Sequence, residues 1–305
     1  MKTKIIILLT AFALFSCKVE KKDAKKEIET IVCTTGMLGD AVKNIVGSNM
    51  EVITLMGPGV DPHLYKATQG DLKSLTNADV IIYNGLHLEG KMGEVFEKLE
   101  KQKHIIVATA GLTEADYINN TEFQGAQDPH IWFDVALWTK AVQFIGAELA
   151  LLSSDSVKKQ IQMNTENYTN QLFQLNMDVV TQVSALDSTE RILITAHDAF
   201  GYFGRAYNFE VRGLQGISTT SEYGLKDVSD LVNYIVENKI KAVFVESSVS
   251  EKSLQAVVEG CLQKYHQVRI GGQLFSDDMG EAGTPEGTYV GMVKHNVKTI
   301  VEGLK

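Results

Sequence analysis

Residues 155–186 read DSVKKQIQMNTENYTNQLFQLNMDVVTQVSAL. Apolar residues recur at Val157, Ile161, Tyr168, Leu172, Leu175, Val179, Val183 and Leu186. Those steps of three, four and seven mark one face of an α-helix. Neither Gly nor Pro occurs between Gly146 and Gly201, so nothing in the run breaks a helix. At 1.5 Å per residue it would span about 48 Å, long for a globular helix. The run therefore reads as a rigid rod that joins two lobes.

The chain on either side supports that division. Before the rod, short β-like runs at 31–33, 52–55, 80–83 and 105–108 alternate with helical stretches at 37–46 and 91–100. Thr68, with Asp71 three residues on, reads as the N-cap of a further helix. After the rod, β-like runs at 192–195, 209–211, 243–246 and 268–270 alternate with helical stretches at 226–238 and 250–259, and a helix over 289–304 closes the chain. Such βα alternation predicts parallel sheets with helices on both faces. The expected fold is α/β: two βα lobes with parallel sheets, at 30–154 and 187–305, joined by one long rigid helix over 155–186.

Ligands of such sheets gather beyond the carboxyl ends of the strands. Candidate ligands stand there in both halves. The turn Gly57-Pro58-Gly59 leads into Asp61-Pro62-His63, and the same tripeptide returns as Asp128-Pro129-His130. Pro fixes its own φ and keeps the preceding residue out of the helical region, so each His rides on stiff, extended backbone. Each also has an Asp two residues upstream, close enough to orient its ring. His197 follows the apolar run 192–194 and Thr195, and the pair Asp277-Asp278 follows 273–276. Three imidazoles and one carboxylate in the cleft between the lobes make a metal site. A single His after a strand is more often a satisfied polar residue, and His87, His104, His266 and His295 read that way. It is the doubled tripeptide that raises the other three above that level.

The N-terminus reads as an address. Lys2 and Lys4 precede an apolar run over 5–15, too short to span a membrane comfortably, and Cys17 follows. Leu14-Phe15-Ser16-Cys17 resembles the lipobox of a bacterial lipoprotein signal. The resemblance implies cleavage after residue 16 and a lipid anchor on Cys17. A plain secretory signal with an incidental Cys is the alternative. The mixed Lys and Glu of 18–29 form a tether with too little apolar surface to order itself. Cleavage would remove two lysines and no acid from a chain of net charge −9. An acidic protein of this kind is a poor partner for nucleic acid. Cys33 and Cys261 are the remaining thiols, far apart and in different lobes, so no disulfide is expected. No paired-Cys metal motif is present, so any metal is held by nitrogen and oxygen.

These residues together resemble the metal-binding lipoproteins of ABC transporters, the TroA/ZnuA/PsaA family. The likeness covers nearly all of the chain beyond the signal and is nearest to the TroA branch. It is carried by both Asp-Pro-His units, by Thr195-Ala196-His197-Asp198-Ala199-Phe200-Gly201-Tyr202-Phe203, by Phe244-Val245-Glu246-Ser247-Ser248, and by Gly271-Gly272-Gln273-Leu274-Phe275-Ser276-Asp277. Carried over residue by residue, it implies His63, His130, His197 and Asp277 as metal ligands. Asp61, Asp128 and Glu246 are candidates to support them from behind. Many zinc-specific members carry a His-rich loop before the second Asp-Pro-His, whereas residues 111–127 contain no His. That favours the TroA-like branch, whose members accept zinc, manganese and iron.

The resemblance implies a monomeric, exported solute-binding protein, lipid-anchored at a bacterial membrane and facing the periplasm or cell exterior. It would take a divalent metal as cargo, zinc preferred over manganese or iron, and hand it to an ABC permease. Four protein ligands close a coordination sphere, whereas catalytic zinc keeps a position for water. A zinc-dependent hydrolase with Asp277 as general base is one alternative, but no His-Glu-x-x-His is present. A surface adhesin is the other.

Overall fold

The computed structural model describes residues 27–119 and 127–305. The signal segment 1–16, Cys17 and most of the tether lie outside the described residues. Four parallel strands, β1 (Thr30–Cys33), β2 (Glu51–Thr54), β3 (Val80–Tyr83) and β4 (His104–Val107), form one sheet in the order β2-β1-β3-β4. Four more, β5 (Ile192–His197), β6 (Glu210–Gln215), β7 (Ala242–Glu246) and β8 (Arg269–Leu274), repeat the plan as β6-β5-β7-β8. In each sheet the strand order reverses beside the first strand, which opens a crevice at the carboxyl ends.

The period-two alternation of these strands sends residues to two different cores. In β1, Ile31 and Cys33 face the central core, and Val32 faces an outer one with Leu75 of α2 (Gln69–Asn77) and Phe96 of α3 (Gly93–Glu100). In the second sheet, Val243 and Val245 meet α7 (Leu225–Glu237) and α8 (Lys252–Gln263), while Ala242 and Phe244 turn to the central core. The inner faces of both sheets thus share one continuous core. It is filled by α1 (Gly36–Val46), α4 (Val135–Leu152), α5 (Asp155–Val183), α6 (Gly201–Tyr207) and α9 (Tyr289–Leu304).

The long helix is α5. Its buried face, Ile161, Tyr168, Leu172, Leu175, Val179 and Val183, is the face marked by the periodicity. Asn164 donates to the Ile45 carbonyl at 3.0 Å and the Tyr168 hydroxyl to Asp40 at 3.1 Å, which ties the first half of the rod to α1. Farther along, Asn176 accepts from the Tyr207 hydroxyl of α6 at 2.8 Å. The helix is therefore glued to both lobes along its length.

Several boundaries differ from expectation for physical reasons. The rod ends at Val183, three residues before Leu186, because Asp187 and Glu190 form a capping box that starts a new turn. The Arg191 guanidinium then donates to the freed Leu186 carbonyl. Strands β6 and β8 run farther than the apolar residues suggested. Each contains glycine, which weakens a strand signal in sequence. Gly213 is needed there: a Cβ would lie 2.4 Å from the amide nitrogen of Asp198, just past the end of the adjoining β5. The helix expected over 91–100 begins with a short 3-10 turn, Gly90–Met92. The Thr68 cap is present as a full capping box with Asp71.

Helices α4 and α5 approach each other closely at Gly146, where a Cβ would meet the Thr165 hydroxyl at 2.4 Å. Gly146→Val should therefore force the pair apart. Overpacking of this kind costs about 1–3 kcal/mol. Urea unfolding monitored by circular dichroism should show a lower midpoint; a parental midpoint would mean that the helices slide without cost.

Candidate metal centre

Four segments bring the site together. His63 stands in the loop after β2, His130 just before the 3-10 turn Ile131–Phe133 that leads into α4, His197 at the end of β5, and Asp277 in the loop after β8. Each is buried, at 4% exposure or less. His63 Nε2 lies 3.3 Å from His130 Nε2 and 3.8 Å from Asp277 Oδ2. His130 Nε2 lies 3.3 Å from Asp277 Oδ1, and His197 Nε2 lies 3.3 Å from Asp277 Oδ2. Two donors held about 2.05 Å from one tetrahedral ion stand about 3.3 Å apart. The cluster has the dimensions of a four-coordinate transition-metal site. Among the described residues, His197 Nε2 and both Asp277 oxygens are buried with no hydrogen-bond partner. Such orphaned polar atoms are rare in folded proteins and are costly unless something binds them.

The groups behind the rings fall into two kinds. Asp128 Oδ1 lies 2.7 Å from His130 Nδ1 and also accepts from the His130 amide. Glu246, at the end of β7, accepts from His197 Nδ1 and from the His197 amide. Both fix their ring with Nε2 facing inward, the arrangement that metal-bound imidazoles use. Asp61 departs from the expectation that it orients a ring. Its Oδ1 accepts from the His63 amide at 2.8 Å, an Asx turn around Pro62, and its Oδ2 accepts from the Thr219 hydroxyl of the other lobe. Close approach at Asp128 needs a glycine: a Cβ at Gly201 would lie 2.8 Å from Asp128 Oδ2.

The two adjacent aspartates part company. Asp277 turns both oxygens to the imidazoles, whereas Asp278 accepts from the Ser247 hydroxyl and the Gly59 amide. Burial raises Asp278 to about 6. Of the other histidines, His266 and His295 hydrogen-bond to backbone carbonyls, and His87 and His104 are exposed. Sequence reasoning missed Asn84 and Thr219. Asn84 donates to the Pro129 carbonyl at 3.0 Å and so supports the second Asp-Pro-His from the loop after β3. No local signal marks either residue, because each acts on a partner distant in sequence.

The empty site holds charge unevenly. Burial pushes His63 down to about 3, so that ring is neutral. Burial opposes charge on His130 and His197 too, but Asp128 and Asp277 lift His130 to about 9, and Glu246 and Asp277 lift His197 well above the usual range. Burial would raise Asp277, yet His197 and His130 hold it well below the ordinary carboxylate value. The neighbouring carboxylates thus favour charge on His130 and His197, and burial disfavours it on His63.

The family described as "Zinc-uptake complex component A periplasmic" (ZnuA) matches residues 31–303, and the chain belongs to it. It is 47% identical over 304 residues to the manganese-binding lipoprotein MntA of Bacillus subtilis, covering 98% of this chain and 97% of the relative. It is 45% identical over 300 residues to the zinc-binding protein TroA of Treponema pallidum, covering 98% and 96%. The solved structure of the periplasmic zinc-binding protein TroA from Treponema pallidum superimposes with a TM-score of 0.88 at 46% identity, covering 92% of this chain and 99% of that one. The family is described as a component of a zinc-uptake complex, and both of these relatives are named for the metal that they bind.

The charge distribution predicts how a cation enters. A divalent ion bound at the Nε2 atoms of His130 and His197 would displace any protons there, while the Nδ1 atoms stay hydrogen-bonded to Asp128 and Glu246. Affinity should therefore fall as pH falls, since protons compete for the same nitrogens. Calorimetric titration with Zn²⁺ at pH 7, in buffers of different ionisation enthalpy, should show release of about one to two protons per ion. Zero release would contradict the charged empty site.

Proposed function

We propose that this protein captures one divalent transition metal outside the cytoplasm and delivers it to an ABC permease, with His63, His130, His197 and Asp277 as ligands. The single observation that carries this reading is the convergence of four buried donors from four segments, all within 4.8 Å of one another. The names of the relatives support the class of cargo: one is a manganese-binding lipoprotein and one a zinc-binding protein. The lipid anchor belongs on Cys17, the tether holds the monomeric domain near the membrane, and no catalytic role is assigned.

Zinc is the ion that the donor set favours. Three imidazole nitrogens suit Zn²⁺, and affinity at such sites rises from Mn²⁺ towards Zn²⁺. One observation speaks for manganese: both Asp277 oxygens face other donors, so the carboxylate can supply two oxygens rather than one. Cellular cargo depends besides on which metal is available.

Metal content of protein purified without chelator is the first test, and retention of no transition metal would count against the reading. Competition with a chromogenic chelator should then show Zn²⁺ bound more tightly than Mn²⁺, with His197→Glu narrowing the gap. Equal or stronger Mn²⁺ binding by the parent would make site geometry the selector.

The ligand set makes a further prediction. Ala at His63, His130, His197 or Asp277 should abolish tight binding, since each removes one of four donors. Asp278→Ala should weaken binding far less, because its oxygens are engaged by Ser247 and Gly59. Equal losses for Asp277→Ala and Asp278→Ala in calorimetric titration would refute that division of labour.

A further inference from the structure

The four donors are closed off from solvent, so something must move before an ion can reach them or leave. The back of the site is immobilised. Trp132 Nε1 donates to the Ser276 carbonyl at 2.9 Å, the Tyr289 hydroxyl to the Trp132 carbonyl at 2.8 Å, and the Tyr202 hydroxyl to the Asp128 carbonyl at 2.9 Å. These bonds join the lobes through large side chains embedded in the shared core. The front differs. A cavity of about 460 Å³ runs between the lobes and reaches His63 and Pro129. His87 and Lys91 line one wall, and Ser218, Thr220 and Ser221 line the other. That second wall follows β6, has no helix or strand of its own, and is only partly buried.

Hydrogen bonds link this wall to ligands on both sides. Gln215, the last residue of β6, pairs in register with His197, and its carbonyl accepts from the Asp198 amide at 3.0 Å. Its side-chain amide donates to the carbonyls of Thr219 and Ser221, folding the segment back on itself. The Thr219 hydroxyl, so placed, donates across the cleft to Asp61 Oδ2 at 2.6 Å. The other oxygen of Asp61 holds the His63 amide. A series of hydrogen bonds therefore runs from the Asp198 amide, next to His197, through Gln215, Thr219 and Asp61 to the His63 amide.

We propose that Thr219 is a positioning residue and a latch: with its carbonyl held by the Gln215 side chain, its hydroxyl bonds Asp61 across the cleft, ties the cavity wall of Ser218, Thr220 and Ser221 to the first lobe and steadies the His63 loop, and breakage of that bond sets the rate at which the ion leaves. The proposal rests on the reading of the four donors as a metal site. It assigns the moving part of that site to residues 216–221 rather than to the lobes as wholes, since the back seam and α5 hold the lobes together. A hydrogen bond to a charged acceptor is a strong one, and its loss at the front wall corresponds to about a ten- to hundred-fold change in a rate that it limits.

The test uses the full chain loaded with Zn²⁺, with release followed by stopped-flow transfer to excess chromogenic chelator. Thr219→Val removes the hydroxyl and keeps the shape; Thr219→Ser restores the hydroxyl. Gln215→Met removes the bonds to the Thr219 and Ser221 carbonyls and leaves the Thr219 hydroxyl in place. Thermal melts of the metal-free variants report folding separately. Thr219→Val and Gln215→Met should release Zn²⁺ about ten- to hundred-fold faster than the parent. Thr219→Ser should stay near the parental rate. A merely structural role would lower the melting temperature and leave the release rate unmoved. Parental release rates in both Thr219→Val and Gln215→Met would overturn the latch, as would equally fast release by the Ser and Val variants. A parent that takes up no Zn²⁺ would overturn the metal reading and the latch with it. A parent that binds normally beside variants that release at the parental rate would overturn the latch alone.

Discussion

Asp277 is a carboxylate removed from water, and its oxygens find no hydrogen-bond donor in suitable geometry among the described residues. Burying an anion in that way is costly unless positive charge lies beside it. The nearest positive charge comes from rings supplied by other segments, and those rings stay in place only because Asp128 and Glu246 brace them. Much of the architecture serves this requirement. Two sheets place ligands beyond their carboxyl ends, and a shared core keeps the two ends facing each other. The rings of His130 and His197 favour charge beside this carboxylate, and a divalent cation at the same place would offset it in their stead. The same buried charge that favours a cation therefore also makes protons its competitors.

The seam between the lobes is asymmetric, and the asymmetry has functional weight. Behind the ligands the contacts are aromatic side chains bonded to backbone carbonyls within a packed interior, which resists small displacements. In front of them the contacts are Thr219 to Asp61 and Asp278 to Gly59, made by loop residues at the edge of the cleft. A helix without Gly or Pro, tied to α1 at one end and to α6 at the other, gives little room for a wide hinge. Motion is left to the segments that carry few buried contacts.

Much of this could be read from the residues. The rod was legible because helical periodicity is local and persists over many turns. The three clustered histidines were legible because Pro and the preceding Asp mark two of them and an apolar strand precedes the third. Glu246 was legible only as a candidate supporting group; that it braces His197 depends on the pairing of two strands that the sequence does not place side by side. The choice between Asp277 and Asp278 was harder: both follow the same strand, and which one turns inward depends on Ser247 and Gly59, drawn from two different lobes. Asp61 misled for a related reason. Its local geometry is an Asx turn, and its outward oxygen is claimed by Thr219, 158 residues away. The extents of β6 and β8 were hidden by glycines that serve close backbone approach rather than strand propensity.

The choice between zinc and manganese turns on how these parts are held. Relatives named for the two metals stand at 47% and 45% identity, too close together for overall similarity to decide. The donor types favour zinc, but the geometry can shift the balance through Asp277. The residues before it are pinned by Trp132 at the Ser276 carbonyl and by Asn296 at the amide and carbonyl of Phe275, and Asp278 after it is held by Ser247 and Gly59. The carboxylate therefore cannot swing freely between one-oxygen and two-oxygen binding. His63 is the donor with slack: it stands 3.8 Å from Asp277, against 3.3 Å for the other two rings, and its loop is held at the cleft edge. A compact tetrahedral ion needs His63 drawn in, whereas a larger oxygen-seeking ion that engages both Asp277 oxygens tolerates it farther out. Selectivity and release are on this argument controlled at the same place, the front loop that carries His63, rather than in the rigid half of the site.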